Sequence, residues 1–415
     1  MADNALNRNS YLTQNLGSFP SDTEFFGVKY VKVNDLRYGT NPHQPAAYYK
    51  PVGAVDSVIG DMKVLKNGKS GLSQTNLEDI SYSLNIVKYF DRPACACMKH
   101  VNPCGAAMQA GNESLKAVYI KARDCDPRAA FGSVIAFNVT VDEETAREIM
   151  STFVECVVAP GFTPEALAVF NDPEVKIDKQ VRILQCGDLA KLPKYVGDDV
   201  SGSYTLKALA DGTVVVSEPL LTHLKSVADL KPAVGENKAC GRVESTVKAT
   251  EQQLLDLLAA WYINISVRSN GVVIVKNGGT LCVGTGEQDR VGAVEQAVEK
   301  FKQKYEGKED IHGAVMASDG FFPFPDAVEV AAAAGVTAVI APAGSIKDAE
   351  VVKRANELGV ALFHAPERVF SHHLSSVSWF SEWLKFLKIK ICRKMTSWSP
   401  KRRKMRRQRM MRCAR

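Results

Sequence analysis

The chain has 415 residues, of which 46% are hydrophobic and 24% are charged. This composition is typical of a soluble globular protein, and the length predicts two or three domains or subdomains. No apolar run is long enough to cross a bilayer, and residues 1–19 lack the pattern of a signal peptide, so we expect a cytoplasmic protein.

The net charge of +6 combines two different regions. Residues 374–415 contain 14 Lys and Arg and one acidic residue, Glu382, whereas the remaining 373 residues carry a net charge of −7. The acidic body therefore gives no charge-based reason to expect nucleic-acid binding, and only the basic tail could provide it.

Ten cysteines are scattered along the chain, and Cys95, Cys97 and Cys104 form the only cluster. No CxxC pair is present. We therefore interpret the cysteines as reduced, buried thiols and expect no metal site.

A loop rich in turn-forming residues covers 36–44. Its Arg37 could clamp an anion, or could simply be a surface arginine beside a turn. Thr75 or Asn76 could cap a helix predicted over about 77–90, and capping is the ordinary role of an asparagine at this place.

The apolar run 94–98 predicts a buried strand, and the turn and breaker residues of 102–105 predict a loop after it. Lys99 and His100 then lie side by side where the strand ends. Ligands bind at such strand ends in open α/β sheets, lysine suits an oxyanion, and histidine suits proton transfer near neutral pH. The pair could equally be two solvated polar residues.

Strands and helices alternate along the rest of the body. A strand predicted over 154–158 contains Glu155, which is costly there unless the carboxylate is paired or binds a ligand. From about residue 251 the alternation repeats, and Asn277-Gly278 predicts a hairpin turn. The pattern predicts a layered α/β/α protein made of two related halves.

Eight blocks are more informative together than any is alone. In chain order they read LRYGTNPHQ, KHVNPCGAA, DPRAAFGSVIAFN, VVAPGF, SNGVVIVKNG, GTGEQDR, MASDGFFPF and PAGSIKD. They resemble the formyltransferase half of the bifunctional purine-synthesis protein, which formylates aminoimidazole carboxamide ribonucleotide (AICAR). The resemblance covers residues 25–373. The family's other half, the inosinate cyclohydrolase, would lie N-terminal to this region. Because only 24 residues precede residue 25 in this sequence, we expect a stand-alone transformylase.

The resemblance implies an α/β fold of two cytidine-deaminase-like α/β/α subdomains with mixed sheets. It implies no zinc, in keeping with the absence of an HxE or CxxC signature. It also implies a homodimer with shared active sites. The domains we expect are a loose segment at 1–24, a first subdomain with a connecting segment at 25–245, a second subdomain at 246–373 and a basic extension at 374–415.

The family reaction is attack of the AICAR 5-amino group on the formyl carbon of 10-formyltetrahydrofolate, the co-substrate. This amine is a poor nucleophile, so a base must remove its proton and a cation must stabilise the oxyanion. The resemblance assigns the first role to His100 and the second to Lys99.

The resemblance assigns binding roles as well. Arg37, Tyr38 and Arg368 match residues that hold the nucleotide phosphate. The other matches on the nucleotide are Asn76, Gly132, Glu155, Asn270 and Phe321. Pro323 and Asp326 match folate-side positions, where a carboxylate can bind the pterin nitrogens.

Three departures from the family pattern, at Ile265, Glu287 and Pro325, lie toward the folate side or the dimer contact. They bear on recognition of the folate's charged tail more than on the nucleotide site. They also leave an alternative function open, a catalytically silent nucleotide-binding paralogue that acts as a sensor or partner.

The tail at 374–415 has three interpretations. It could bind RNA or anionic lipid, it could be a solvated extension, or it could result from reading the last gene segment in a wrong frame. We favour the third, because composition changes abruptly just after the family's natural terminus.

Overall fold

The computed structural model describes residues 8–372 except 26, 55, 69, 176–178, 202 and 306–308. The predictions for the tail at 374–415 lie outside the described residues. Within the segment expected to be loose, Arg8–Tyr11 form a 3-10 turn and Asp22–Phe25 form a strand. None of the described helices is at once long and apolar enough to cross a bilayer.

Helices and strands alternate through most of the described chain. The helices are α1 (Gln74–Val87), α2 (Leu115–Asp124), α3 (Pro127–Ala130), α4 (Glu143–Ile149), α5 (Pro164–Phe170), α6 (Glu251–Asn264), α7 (Arg290–Tyr305), α8 (Asp326–Ala334) and α9 (Asp348–Glu357). The strands are β1 (Asp22–Phe25), β2 (Val28–Asp35), β3 (Ala47–Pro51), β4 (Lys63–Lys66), β5 (Ala94–Lys99), β6 (Asn102–Met108), β7 (Val134–Phe137), β8 (Cys156–Ala159), β9 (Arg182–Gln185), β10 (Thr205–Ala208), β11 (Val214–Ser217), β12 (Lys231–Pro232), β13 (Val234–Asn237), β14 (Gly241–Glu244), β15 (Val272–Lys276), β16 (Gly279–Gly284), β17 (Val315–Ser318), β18 (Ala338–Pro342) and β19 (Ala361–Ala365).

Twelve strands form one mixed sheet in the order β12-β19-β18-β17-β15-β16-β6-β5-β7-β8-β9-β4. Strands β1 to β3 form a separate antiparallel sheet, and β13 pairs with β14. The hairpin of β10 and β11 belongs to a second compact unit, and its two strands pair antiparallel.

The two halves of the large sheet repeat the same path. In each, a short edge strand and a helix precede an antiparallel hairpin, β5–β6 or β15–β16. The next strand pairs antiparallel with the first hairpin strand, and two parallel strands follow, each after a helix. The prediction of two related halves in an α/β fold is confirmed.

The halves meet where β6 lies antiparallel to β16. Gly279 pairs with Ala107, and the Thr280 hydroxyl bonds both the N–H and the carbonyl of Ala106, at 3.0 and 3.1 Å. The two hairpin turns therefore lie at opposite ends of this central pair.

Three apolar clusters cover the two faces of the sheet. Side chains alternate along β5, so that Ala96 and Met98 pack toward α1 while Cys95 and Cys97 pack toward α2. Helix α6 shares the cluster of α1, and α7 to α9 cover the opposite face of the second half. Since most of these strands are buried on both faces, the protein has the predicted α/β/α layers.

The prediction of a loop at 102–105 is wrong, because these residues begin strand β6. Met98 pairs with Pro103 and Cys97 with Gly105, which leaves Cys104 as a bulge. A proline is tolerated beside such a bulge. Glycine is needed at 105, because a Cβ there would lie 2.1 Å from the carbonyl oxygen of Ala122 on α2. The breaker residues thus permit a bulge and close helix packing.

Candidate active site

The Lys99–His100 pair lies at the tip of the β5–β6 hairpin. The turn consists of His100 and Val101, whose φ angles of 55° and 60° are left-handed. Two-residue hairpin turns of this kind favour Asn and Gly, since an ordinary side chain there costs about 1–2 kcal/mol per residue. A histidine followed by a β-branched valine is therefore a strained turn that other contacts must hold.

The buried carboxylate of Asp79, on α1, provides such a contact. Its Oδ2 accepts the N–H of His100 at 3.3 Å, and its Oδ1 accepts the N–H of Val101 at 2.6 Å. Burial raises the pKa of this carboxyl to about 6, against the opposing effect of the two N–H groups. Sequence reasoning missed Asp79, although an acid three positions after Asn76 on a buried helix face was an available signal.

Lys99 points toward the loop that precedes β7. Its ammonium donates to the carbonyl of Phe131 at 2.6 Å, and it lies 3.8 Å from the position that a Cβ on Gly132 would take. Gly132 has a φ of 75°, which a glycine adopts without strain. Lys99 is half-buried and His100 is exposed. Gly132 and Lys99 are therefore neighbours, and the close approach of a ligand to Gly132 stays a prediction.

Arg37 is a buried arginine, and not all of its N–H donors have a hydrogen-bond acceptor. Its Nη1 donates to Ser70 Oγ at 3.0 Å and its Nη2 to Asn76 Oδ1 at 3.5 Å, while the guanidinium lies 4.6 Å from the centre of the Tyr38 ring. The buried Nε has no hydrogen-bond partner among the described residues. A buried donor left unpaired in this way suits an anionic ligand.

Asn76 belongs to the start of α1, though not as its N-cap. Ser73 is the N-cap, and Asn76 completes a capping box by accepting the Ser73 N–H at 3.1 Å. The predicted cap at Thr75 or Asn76 is thus wrong by two to three residues, because the serine hydroxyl bonds the Asn76 N–H. The same Asn76 side chain holds Arg37 in place.

Arg182, at the start of β9, was missed by sequence reasoning. It is buried, and its Nη1 donates to Glu155 Oε2 at 2.7 Å. The expectation that Glu155 needs a partner is confirmed, although Glu155 immediately precedes β8 rather than lying within it. Burial and then the nearby Arg182 lower the pKa of Arg37. The signal for Arg182 was a cation in the apolar run 181–186.

A second group of candidate residues surrounds Asn270. Its backbone N–H and its side-chain Nδ2 both donate to the carbonyl of Glu287, at 3.1 and 3.0 Å. The neighbouring Gly271 donates its N–H to Asp319 Oδ2 at 2.9 Å, and buried Asp319 also pairs with Arg290. The backbone of the GTGEQDR loop thus orients Asn270, whichever side chain stands at 287.

Arg368 lies beside this second group. Its guanidinium is 4.3 Å from the centre of the Phe370 ring, and Arg290 lies 5.8 Å from the same ring. The contacts of Arg37 and of Arg368 involve different neighbours within one copy of the described chain. The predicted joint binding of one phosphate by these two arginines therefore stays a prediction.

Asn102 connects the His100–Val101 turn to the loop that contains Asn270. Its Oδ1 accepts the N–H of Arg268 at 3.2 Å and the hydroxyl of Thr285 at 2.7 Å. Arg268 is two residues before Asn270, and Asn102 is two residues after His100. The strained turn and the Asn270 loop are thus neighbours in one copy of the chain.

Phe321, which was expected at the nucleotide, and the expected folate-side residues Pro323 and Asp326 lie in the loop before α8 and at its start. Phe321, Pro323 and Asp326 are exposed, and the Asp326 carboxylate accepts the N–H of Ala327 at 2.8 Å. Their binding roles stay predictions.

The described cysteines are free thiols, and all but Cys240 are buried. Burial raises the pKa of several, for example Cys125 and Cys156, to about 12, which makes them poor nucleophiles. Among the described residues, no group of three or more His, Cys, Asp or Glu is placed to hold a metal ion.

Comparison with known proteins identifies the family. Residues 3–300 match the family described as the AICARFT/IMPCHase bienzyme. The chain belongs to this family. The bifunctional purine biosynthesis protein PurH of Acetivibrio thermocellus is 39% identical over 365 residues, and that of Oceanobacillus iheyensis is 36% identical over 368. The resemblance predicted from the eight sequence blocks is confirmed.

These alignments cover 87% and 89% of this chain, and 63% and 64% of the two relatives. A third PurH, from Nostoc punctiforme, is 36% identical over 87% of this chain. The chain therefore spans somewhat less than two thirds of the length of the AICARFT/IMPCHase relatives that it matches.

Proposed function

We propose that the chain transfers a formyl group from 10-formyltetrahydrofolate to the 5-amino group of AICAR, giving formyl-AICAR and tetrahydrofolate for purine biosynthesis. We further propose that it acts in the cytoplasm as a homodimer with shared active sites. The observation that carries the proposal is the strained, clamped turn that presents Lys99 and His100 in a member of the AICARFT/IMPCHase family.

In the proposed reaction, the amine nitrogen attacks the formyl carbon and His100 takes the proton that the nitrogen loses. The ammonium of Lys99 supports the oxyanion that forms, because it keeps N–H groups beyond the one it donates to Phe131. The intermediate collapses when the bond to N10 of the folate breaks and that nitrogen takes up a proton. The products are formyl-AICAR and tetrahydrofolate.

The nucleotide would bind along the residues around Arg37. Arg37, with its unpartnered Nε, is suited to the phosphate, and Tyr38 supports it. Glu155 uses one oxygen on Arg182, and we assign the other to a sugar hydroxyl. Asn76 and Gly132 line this side of the site.

The second group would complete the site. We assign Asn270 to the carboxamide and the reacting amine, Phe321 to the nucleotide and Arg368 to its phosphate. Pro323 and Asp326 are assigned to the folate. The exposed carboxylate of Asp326 is suited to the pterin amino and ring nitrogens.

The test is a spectrophotometric assay of tetrahydrofolate formation with AICAR and 10-formyltetrahydrofolate. We expect product formation that depends on both substrates. Binding of AICAR without any tetrahydrofolate would contradict the proposal and favour the catalytically silent paralogue.

A further inference from the structure

The duplicated fold places a second hairpin turn at the position in the second half that corresponds to the His100–Val101 turn in the first. In the second half the turn is Asn277-Gly278, with φ angles of 49° and 77°. Its N–H groups donate to the carboxylate of Asp256 on α6, both at 2.8 Å. Each acid is the sixth residue of its helix, and each lies 20 residues before a lysine, Lys99 or Lys276.

The two turns have the same backbone conformation but differ in sequence. Asn and Gly are the residues that adopt left-handed φ angles most easily, so Asn277-Gly278 needs little support. His100 and Val101 adopt the same angles against their preference, and the β-branched Val101 is the less suited of the two. The carboxylate should therefore contribute more to the shape of the His100–Val101 turn than to that of the Asn277–Gly278 turn.

We propose that Asp79 is a positioning residue for formyl transfer, because its carboxylate holds His100 and Val101 left-handed and so aims Lys99 and His100 at the reacting atoms. This inference rests on the proposed function. Asp79 acts on the backbone N–H groups of the turn, 3.3 and 2.6 Å away, and not on the substrate. If the clamp loosens, the turn relaxes and the base moves.

The first experiment compares Asp79→Asn with the matched variant Asp256→Asn. An asparagine replaces one of the two carboxylate oxygens with an NH2 donor, so only one of the two N–H groups keeps an acceptor in its place. Displacing a catalytic group by about 1 Å can cost about 10²-fold in rate, so we expect kcat of Asp79→Asn to fall by about 10-fold to 100-fold. The AICAR Kd should stay within about twofold, since no binding contact is removed. Asp256→Asn should leave kcat unchanged.

The second experiment is a rescue. Val101→Gly gives the turn the residue that its counterpart has at Gly278, so Asp79→Asn/Val101→Gly should regain most of the lost kcat. If Asp79→Asn does not fold, Val101→Gly is compared with the double variant. A difference in kcat below about tenfold then supports the proposal, and a larger one contradicts it.

Three results would overturn the inference while wild-type turnover stays normal. They are an unchanged kcat in Asp79→Asn, an equal loss in Asp256→Asn, and a double variant no faster than Asp79→Asn. Absence of turnover in the wild type would instead contradict the proposed function, which keeps the two failures distinct.

Discussion

Arg37 is the residue of the proposed nucleotide site with the clearest structural support, because it is buried with an unpartnered Nε and lies near the cation of Arg182. We predict that Arg37→Gln weakens AICAR binding by about 10-fold to 100-fold, the value of a lost charge-assisted hydrogen bond. Isothermal titration with AICAR measures this change. Arg147→Gln is the control, since Arg147 forms an exposed pair with Glu143 on α4. Equal affinity of both variants would contradict the assignment of Arg37.

Asp79 also makes a prediction about stability and pH. Its pKa is about 6 in the folded protein, above the ordinary 3.8, so the folded state binds more protons between these pH values. Its contribution to stability is therefore full below about pH 4 and is lost as the pH rises through 6. The unfolding free energy of the wild type minus that of Asp79→Asn should fall by about 2 kcal/mol from pH 4 to pH 7.

Urea unfolding of both proteins at the two pH values measures this difference. The charged neighbours Lys99 and Glu78 are present in both, so their effects largely cancel. A difference that rises with pH would contradict a raised pKa at Asp79.

At the residue scale, sequence reasoning selected the groups that chemistry makes conspicuous and missed the residues that contact them. Lys99 and His100 stand out as adjacent reactive types, and Glu155 stands out as an acid beside a strand. Asp79 and Arg182 resemble ordinary charged residues of a helix and a strand, because their importance comes from long-range contacts. Only the fold brings Asp79 to a turn more than 20 residues away.

At the element scale, the packing of β6 on α2 depends on Gly105. A Cβ at this position would meet a backbone oxygen at 2.1 Å, and backbone cannot rotate away. We predict that Gly105→Ala lowers the unfolding free energy by about 2–3 kcal/mol, as overpacking does.

Gly161→Ala is the matched control in urea unfolding, because its closest neighbour is the Thr140 side chain, whose hydroxyl lies 2.9 Å away and can move. A larger loss in Gly161→Ala than in Gly105→Ala would contradict this account of β6.

The elements themselves were largely predictable, because apolar runs and alternation are local properties. The strand predicted over 94–98 is present as β5, which continues by one residue to Lys99. The beginning of β6 was not predictable from local rules, since Asn, Pro and Gly normally favour turns. Their place in a strand depends on a bulge opposite β5 and on the approach of α2, which are tertiary contacts.

At the scale of the whole molecule, the duplicated halves explain why one hairpin turn can be reactive. The Asn277-Gly278 turn has residues that favour left-handed φ angles, whereas the His100-Val101 turn does not. In both turns a helix carboxylate accepts the two N–H groups. The sequence predicted two related halves. The spacing from Asp79 to Lys99 equals the spacing from Asp256 to Lys276. This equality would also have shown which positions of the two halves correspond.

A shared active site in a homodimer makes a prediction about mixed subunits. If His100 and Arg368 of one site come from different copies, a heterodimer of His100→Ala and Arg368→Ala contains one intact site. Refolding the two inactive variants together should then restore about a quarter of wild-type turnover, as expected for a twofold symmetric assembly. No recovery, with dimers confirmed by light scattering, would contradict sharing of these two residues.

The central claim is that the clamped turn carries the proton transfer of formyl transfer to AICAR. The most direct measurement is kcat of His100→Ala together with its AICAR Kd. We predict that kcat falls by about 10²-fold to 10⁴-fold, the usual contribution of a general base, while the Kd stays nearly unchanged. Wild-type turnover in His100→Ala would contradict the claim.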